Sequence, residues 1–437
     1  MRFQTLAFLL FTMQNFVVPN AYEMAPQTEE VVAESTADES SVVVNPDAKK
    51  AVDSYFSGLD SLPVVDQARK VKIAYCRAKY FQKRVDTDTL RPWSIMHGLI
   101  GSGRDTEVLS SGMRYNAADY LCANGAGDGM KILQVVNRHL STREGPGVQG
   151  HQGQLLAILG QSGVSADHVV HVDGMQFTLR DLIEYEKRTC RSNTELTFKL
   201  IGLSIYLPPE ATWRNEQGEA WSMERLIREE ASEAITTGAC GGTHRLMALS
   251  HAVASSIVNG QELQGQWLRA DAIVQSNIGR ILQLQNPDGS FSTDFLAGRD
   301  NDPDMTRRVY TTGHALEWLC FTMPSDQLRS SRITAAVDYL VDALLSAPNH
   351  DVDVGPRGHA LHALMMYEAK VYGACSDQTD ISESTHRFLA MREAYPALFE
   401  VNPGWLVVSQ ANDVKRNGND SSQGSNNRRN AGVFRRR

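Results

Sequence analysis

The sequence has few cysteines, and they stand far apart. Cys76, Cys122, Cys190, Cys240, Cys320 and Cys375 include no Cys-x-x-Cys pair, which excludes zinc-ribbon and thioredoxin-like signatures. Most fall within helical patterns, where a thiol serves as a small core residue. Positive charge is also short. Lys and Arg number 43 against 51 Asp and Glu, for a net charge of −8 and a pI near 5.9. A general nucleic-acid binder needs a basic field over its body, so that class is excluded. The apolar stretch Thr5 to Met13 is too short to cross a bilayer. A nucleophile elbow, a P-loop and a dinucleotide fingerprint are all missing, and strand-like alternation is scarce.

The two ends differ from the body. Arg2 followed by the apolar Thr5–Met13 stretch reads as a secretory signal over residues 1–21, which predicts a secreted or periplasmic protein. Residues 22–48 hold seven acidic and no basic residues. Such a segment buries too little apolar surface to order itself, so 22–55 is expected to be a disordered acidic linker. From Ser409 the chain has seven basic and two acidic residues among Asn, Ser and Gly. Residues 406–437 are therefore expected to be a disordered basic tail.

What fills 56–405 is helical periodicity of two kinds. Gln67–Phe81 and Asp326–Leu345 place apolar residues at three- and four-residue steps, as amphipathic helices do. A second kind of segment is shorter, apolar nearly all round, and begins with small residues about a histidine. Its members contain His97, His151, His244, His314 and His359, and a sixth at Asn193–Leu200 carries Glu195 instead. A helix apolar on most sides must be surrounded by protein, whereas an amphipathic one can lie outside it. Alternating the two kinds predicts an all-α fold, an (α/α)6 toroid with short β-hairpin turns. An open superhelical stack is the competing arrangement.

A smaller repeat supports duplication. Ser111–Asp119, Asp173–Asp181 and Gln217–Glu224 each read as a Gly turn, an aromatic, then Asn, Thr or Ser capping a helix with an acid in its first turn.

At Gln285-Asn286-Pro287-Asp288-Gly289-Ser290-Phe291 the chain resembles a motif of the terpenoid cyclase and protein prenyltransferase superfamily, whose toroids repeat a Gln, a short gap, Gly and an aromatic. In this reading Gln285 caps the preceding helix, Gly289 turns the chain and Phe291 packs between helices. The resemblance implies a squalene cyclase-like fold. It does not carry the chemistry over: Asp300-Asn301-Asp302-Pro303-Asp304 lacks the adjacent aspartates of the cyclases, and no Asp-x-Cys zinc pair occurs. Met96-His97-Gly98 is faintly similar to segments of lantibiotic cyclases, whose Trp-Cys-Tyr-Gly motif is absent.

The expected site is a ring of five histidines and one glutamate: His97, His151, Glu195, His244, His314 and His359, with Glu317 one turn from His314. Intervals between the histidines are unequal, at 54, 93, 70 and 45 residues, and Glu195 falls inside the longest. Set over helix N-termini, such imidazoles would be kept neutral and free to act as bases, hydrogen-bond partners or ligands. A buried histidine bonded to a nearby loop is the plain alternative. Cys240-Gly241-Gly242-Thr243-His244 is the metal candidate, with His314 or His359 completing a zinc set; a Gly-rich turn around a core cysteine is its alternative. The loop carrying Arg299, Asp300, Asp302, Asp304, Arg307, Arg308 and Tyr310 reads as a substrate-binding lip or a solvated acidic loop. Asp351 and Asp353 are candidates to orient His359, which pairs with His362 on one face; His168 and His171 read as structural. The functional expectation is an exported enzyme using histidine/carboxylate acid–base chemistry on a small-molecule or glycan ligand in a central cavity. A non-catalytic binding toroid and a zinc-dependent transferase or cyclase are the other readings.

Overall fold

A computed structural model describes residues 59–81, 83–346 and 352–372. The expected signal peptide, acidic linker and basic tail, together with Asp351 and Cys375, lie outside the described residues. What is described is largely helical. The helices are α1 (Val64–Phe81), α2 (Pro92–Ser102), α3 (Ala117–Cys122), α4 (Gln154–Gln161) and α5 (Leu179–Arg188). Then come α6 (Thr197–Tyr206), α7 (Met223–Ser232), α8 (Thr243–Val258) and α9 (Gly265–Gln283). The last are α10 (Met305–Thr322), the single turn α11 (Ser325–Leu328), α12 (Ser331–Leu345) and α13 (Val354–Tyr372).

The two kinds of helix alternate as the periodicity predicts. In α8 every residue from Thr243 to Ser256 is buried, and in α6 every residue from Thr197 to Ser204. The outer α9 buries only Ala270, Val274 and Ile281 along its 19 residues. The buried helices touch in sequence: α2 with α4, α4 with α6, α6 with α8, α8 with α10, α10 with α13, and α13 back with α2. Amphipathic helices back them: α3 lies on α2, α5 on α6, α7 and α9 on α8, α12 on α10, and α1 on α13.

Close contact between buried helices depends on glycine. A Cβ on Gly358 of α13 would overlap the His97 carbonyl oxygen of α2, and one on Gly313 of α10 would come within 3.0 Å of the Ala360 backbone of α13. The one charged side chain within α6 is Lys199, 1% exposed. It is neutralised there by Glu186 of α5 and also donates to Thr189 Oγ1 at 2.6 Å.

The turn-and-cap units are β-hairpins. Strand β1 (Val85–Asp86) runs parallel to β2 (Glu107–Ser110), which pairs antiparallel with β3 (Met113–Asn116). Three further hairpins are β4 (Leu133–Val136) with β5 (His139–Thr142), β6 (Val169–Val172) with β7 (Met175–Thr178), and β8 (Thr212–Arg214) with β9 (Ala220–Ser222). After β3, Asn116 Oδ1 accepts the amides of Ala118 and Asp119 at 2.9 and 3.1 Å. Thr178 and Asp181 form a reciprocal capping box, and Ser222 accepts Arg225 N–H at 3.1 Å. Each cap is worth about 1 kcal/mol, and each fixes where the next helix begins.

Two local expectations differ from what is seen. The amphipathic stretch from Asp326 is broken at Arg329–Ser330 into α11 and α12. Gln285 does not cap the helix before it. Its amide donates to Gly289 O at 2.9 Å within its own turn and to Arg332 O at 2.8 Å on α12, while Arg332 itself reaches back to Leu282 O at 2.8 Å. The motif thus ties two neighbouring outer helices together. Gly289 turns with φ of 93°, and Phe291 is buried as expected.

Candidate functional site

The residues that meet inside the buried helices are imidazoles. His314 and His359 lie with ring centroids 3.8 Å apart, His244 is 5.0 Å from His314 and 5.2 Å from His359, and His97 is 5.3 Å from His359. All four are buried. Four of the five expected histidines therefore converge although they come from four helices.

The local setting of each histidine departs from the sequence reading in one respect. His244 is the second residue of α8, but His314 is the tenth of α10, well past its first turn. His151 and Glu195 precede α4 and α6 and belong to the turns leading into them. For His314 the helix dipole is thus not what holds the ring neutral. Burial comes first and the neighbouring histidines second: together they hold His244 and His314 well below the usual histidine range and bring His97 down to about 3.

Hydrogen bonds fix the tautomers. A carbonyl oxygen can only accept, so His97 donates Nδ1–H to Trp93 O and His314 donates Nδ1–H to Tyr310 O, both at 2.7 Å. His359 and His362 donate Nδ1–H to the two oxygens of Glu317, at 2.8 and 2.6 Å. Burial alone would raise the Glu317 carboxyl, but the facing His359 and His362 hold it well below the usual range, as the anion. His97 and His314, held neutral by burial, therefore keep a bare Nε2. The carboxylate that orients His359 is Glu317, not Asp353. Asp353 is exposed, and its carbonyl accepts Arg357 N–H.

His151 stands apart, about a third exposed, with Nδ1 2.6 Å from Glu195 Oε2. Phe198 bridges it to the cluster, 4.9 Å from His151 and 4.9 Å from His244. Trp93 stacks on His97 at 3.9 Å and Tyr310 meets His314 at 4.5 Å, so flat aromatic faces flank the imidazoles.

No family model, curated protein or solved structure matches this chain. What the site can do rests on its own geometry.

A second tier lies below the first. His251, seven residues and two turns after His244, stacks on Phe321 at 4.1 Å. Burial, then His362, brings it down to about 3. Sequence reading missed it, although a seven-residue step on one helix face was the available signal. Glu317 links the two tiers by holding one histidine in each.

Cys240, His244 and His314 offer donor atoms all within 4.8 Å of one another, the one group of three or more potential metal ligands among the described residues. These are the three residues expected from the Cys-x-x-x-His spacing plus His314. Tyr310 belongs to this corner, its hydroxyl 3.0 Å from Cys240 Sγ.

The rest of the loop is occupied with its own order. Asp304 caps α10 through Arg307 N–H at 2.8 Å, and Asp302 accepts Asp304 N–H at 2.9 Å. Asp300 accepts the Thr293 hydroxyl, Arg308 pairs with Asp288, and Arg299 donates to Gln283 O. Arg307 stacks over Phe295 and Tyr310. His168 pairs with Asp119 at 3.2 Å, and His171 faces Gln176 in β6–β7. No disulfide joins the described cysteines, and no described helix is long and apolar enough to cross a membrane.

Proposed function

We propose that the six buried helices close as the inner ring of an (α/α)6 toroid, and that the chain is an enzyme transferring protons between this ring and a polar small molecule such as a carbohydrate. The cyclic order of contacts from α2 through α13 and back to α2 supports the toroid, because an open stack has no contact between its first and last inner helices. The resemblance to terpenoid cyclases enters this reading as architecture only.

The observation that carries the enzymatic reading is the Glu317 clamp. A buried carboxylate holding His359 by Nδ1–H presents Nε2 as a base, and it stabilises the imidazolium formed when that nitrogen takes a proton. The exposed His151–Glu195 pair repeats the arrangement on the accessible side, where it can exchange protons with solvent or substrate. A binding scaffold would need no such convergence. Partly exposed Trp93 offers a flat edge against which a sugar ring can pack, and the apolar N-terminal stretch supports export of the enzyme.

The reading is tested by NMR of polyuronates and N-acylated hexoses incubated with the protein in D2O. Deuterium entering an acidic C–H position, or elimination across it, is expected. Replacing His359 by Ala should slow this by about a hundredfold or more, the usual share of a general base. A rate left within about twofold in both His359→Ala and His151→Ala contradicts the assignment.

A further inference from the structure

Cys240 takes no part in that acid–base chemistry, yet the backbone is strained to hold it beside the cluster. It has φ and ψ of 51° and 51°, a left-handed conformation that a side-chain-bearing residue seldom adopts. Gly241 and Gly242 continue the left-handed turn. A Cβ on Gly241 would run into the Phe295 ring, and one on Gly242 into Ile235 O. Strain of this kind persists where the surroundings over-determine it, and it gathers at functional positions. Here it delivers one sulfur to the start of α8.

The neighbours of that sulfur have ligand character. His314 spends Nδ1–H on Tyr310 O, so its Nε2 is a free lone pair. His244 is buried, and among the described residues neither of its ring nitrogens has a hydrogen-bond partner. Its nitrogens are therefore uncommitted and available to a ligand. Tyr310 addresses two of the three donors at once, His314 through its carbonyl and Cys240 through its hydroxyl at 3.0 Å.

We propose that Cys240 Sγ, His244 and His314 Nε2 bind one zinc ion, with the fourth position open. Mixed thiolate and imidazole donors suit zinc, and three protein ligands with an open position mark a catalytic site rather than a structural one. Donors around tetrahedral zinc stand about 3.5 Å apart, given bonds of about 2.1 to 2.3 Å. The 4.8 Å spread therefore closes by about an ångström when the ion enters. His359 lies against His314 rather than converging as a fourth ligand, and its Nδ1 is held by Glu317 at 2.8 Å. Zinc held there would supply Lewis-acid activation at its open position. Tyr310 is a positioning residue: its O–H donated to the thiolate fixes the sulfur and moderates its charge.

The proposal stands independently of the substrate. The full chain, purified without metal-affinity steps and dialysed, is expected to carry about one zinc per molecule by emission spectroscopy. Cobalt exchanged into it should show a thiolate-to-cobalt charge-transfer band. Cys240→Ser should lose the band, His244→Ala should lose the metal, and Tyr310→Phe should keep the ion with its affinity for zinc weakened about 10- to 100-fold in chelator competition, as for other outer-sphere partners. Circular dichroism matching the parent chain confirms that the variants fold. Absence of stoichiometric metal from the parent chain, copper in place of zinc, or a thiolate band that survives Cys240→Ser would each overturn the assignment. An unchanged affinity in Tyr310→Phe removes the role given to that residue.

Discussion

Acid should loosen this protein through its buried neutral histidines, and His251 allows the effect to be isolated. Its ring is buried and stacked on Phe321, with Nε2 unpartnered. Burial comes first, His362 lowers the value further and the Glu317 anion opposes them, and the balance brings the folded-state value down to about 3 from 6.5. The unfolded chain takes up a proton as the pH falls through about 6.5, while the folded chain refuses it until about 3. The stability linked to this residue is therefore complete above 6.5 and drains away between those values. At a pH of about 5 the loss is RT ln(1 + 10^1.5), or about 2 kcal/mol. His97, with the same folded-state value, adds about as much, for a total of about 4 kcal/mol out of the 5 to 15 typical of a domain. Glu317, depressed by its two histidines, keeps its contribution until below the ordinary glutamate range near 4.3, so it does not blur a comparison made above a pH of about 5. Urea unfolding of the parent chain and of His251→Gln, each at pH values of about 7.5 and 5, measures the difference. Glutamine does not titrate, so the variant should lose about 2 kcal/mol less than the parent on acidification. Equal losses in the two proteins would show that His251 is already charged, or solvated, in the fold.

Two further predictions follow from packing. Gly358→Ala forces a methyl onto the His97 carbonyl oxygen, so thermal unfolding should report a loss of about 1 to 3 kcal/mol, and more if α2 and α13 separate. Lys199→Met strands the Glu186 carboxylate in the interior and should cost about 3 to 5 kcal/mol in denaturant unfolding; the double variant Lys199→Met with Glu186→Leu should recover most of it.

Much of this was legible because it is written locally. The buried helices announce themselves by the absence of a polar face, and the hairpin caps by Gly followed at a fixed distance by Asn, Thr or Ser. The Cys240–His244 corner was readable because two glycines between a thiol and an imidazole leave few ways to turn. Hydrogen bonds across long separations were not readable. Glu317 was noted for its place one turn from His314, yet its partners are His359 and His362, 42 and 45 residues later. Nothing in the intervening sequence encodes that meeting except the packing of α10 on α13. The loop acids carry two readings by composition. Asp302 and Asp304 suggest a ligand lip by composition, but a carboxylate just ahead of a helix is also its natural cap, and Asp304 is used that way. The hairpin β4–β5, turning at Asn137–Arg138 with positive φ at both, escaped notice because no helix begins directly after it.

Glycine immediately before histidine, at 313–314 and 358–359, has a consequence for how such a chain can change over time. The glycines set how near the helices come, and the histidines only occupy the space that nearness creates. Losing a ring would remove the proposed proton transfer and leave the scaffold intact, available to be refitted with other side chains. Losing a glycine would push apart the walls on which every later refitting depends. Descendants whose site has changed its use should therefore keep the small residues and vary the imidazoles, and a designer seeking a new catalyst in this scaffold would make the same division.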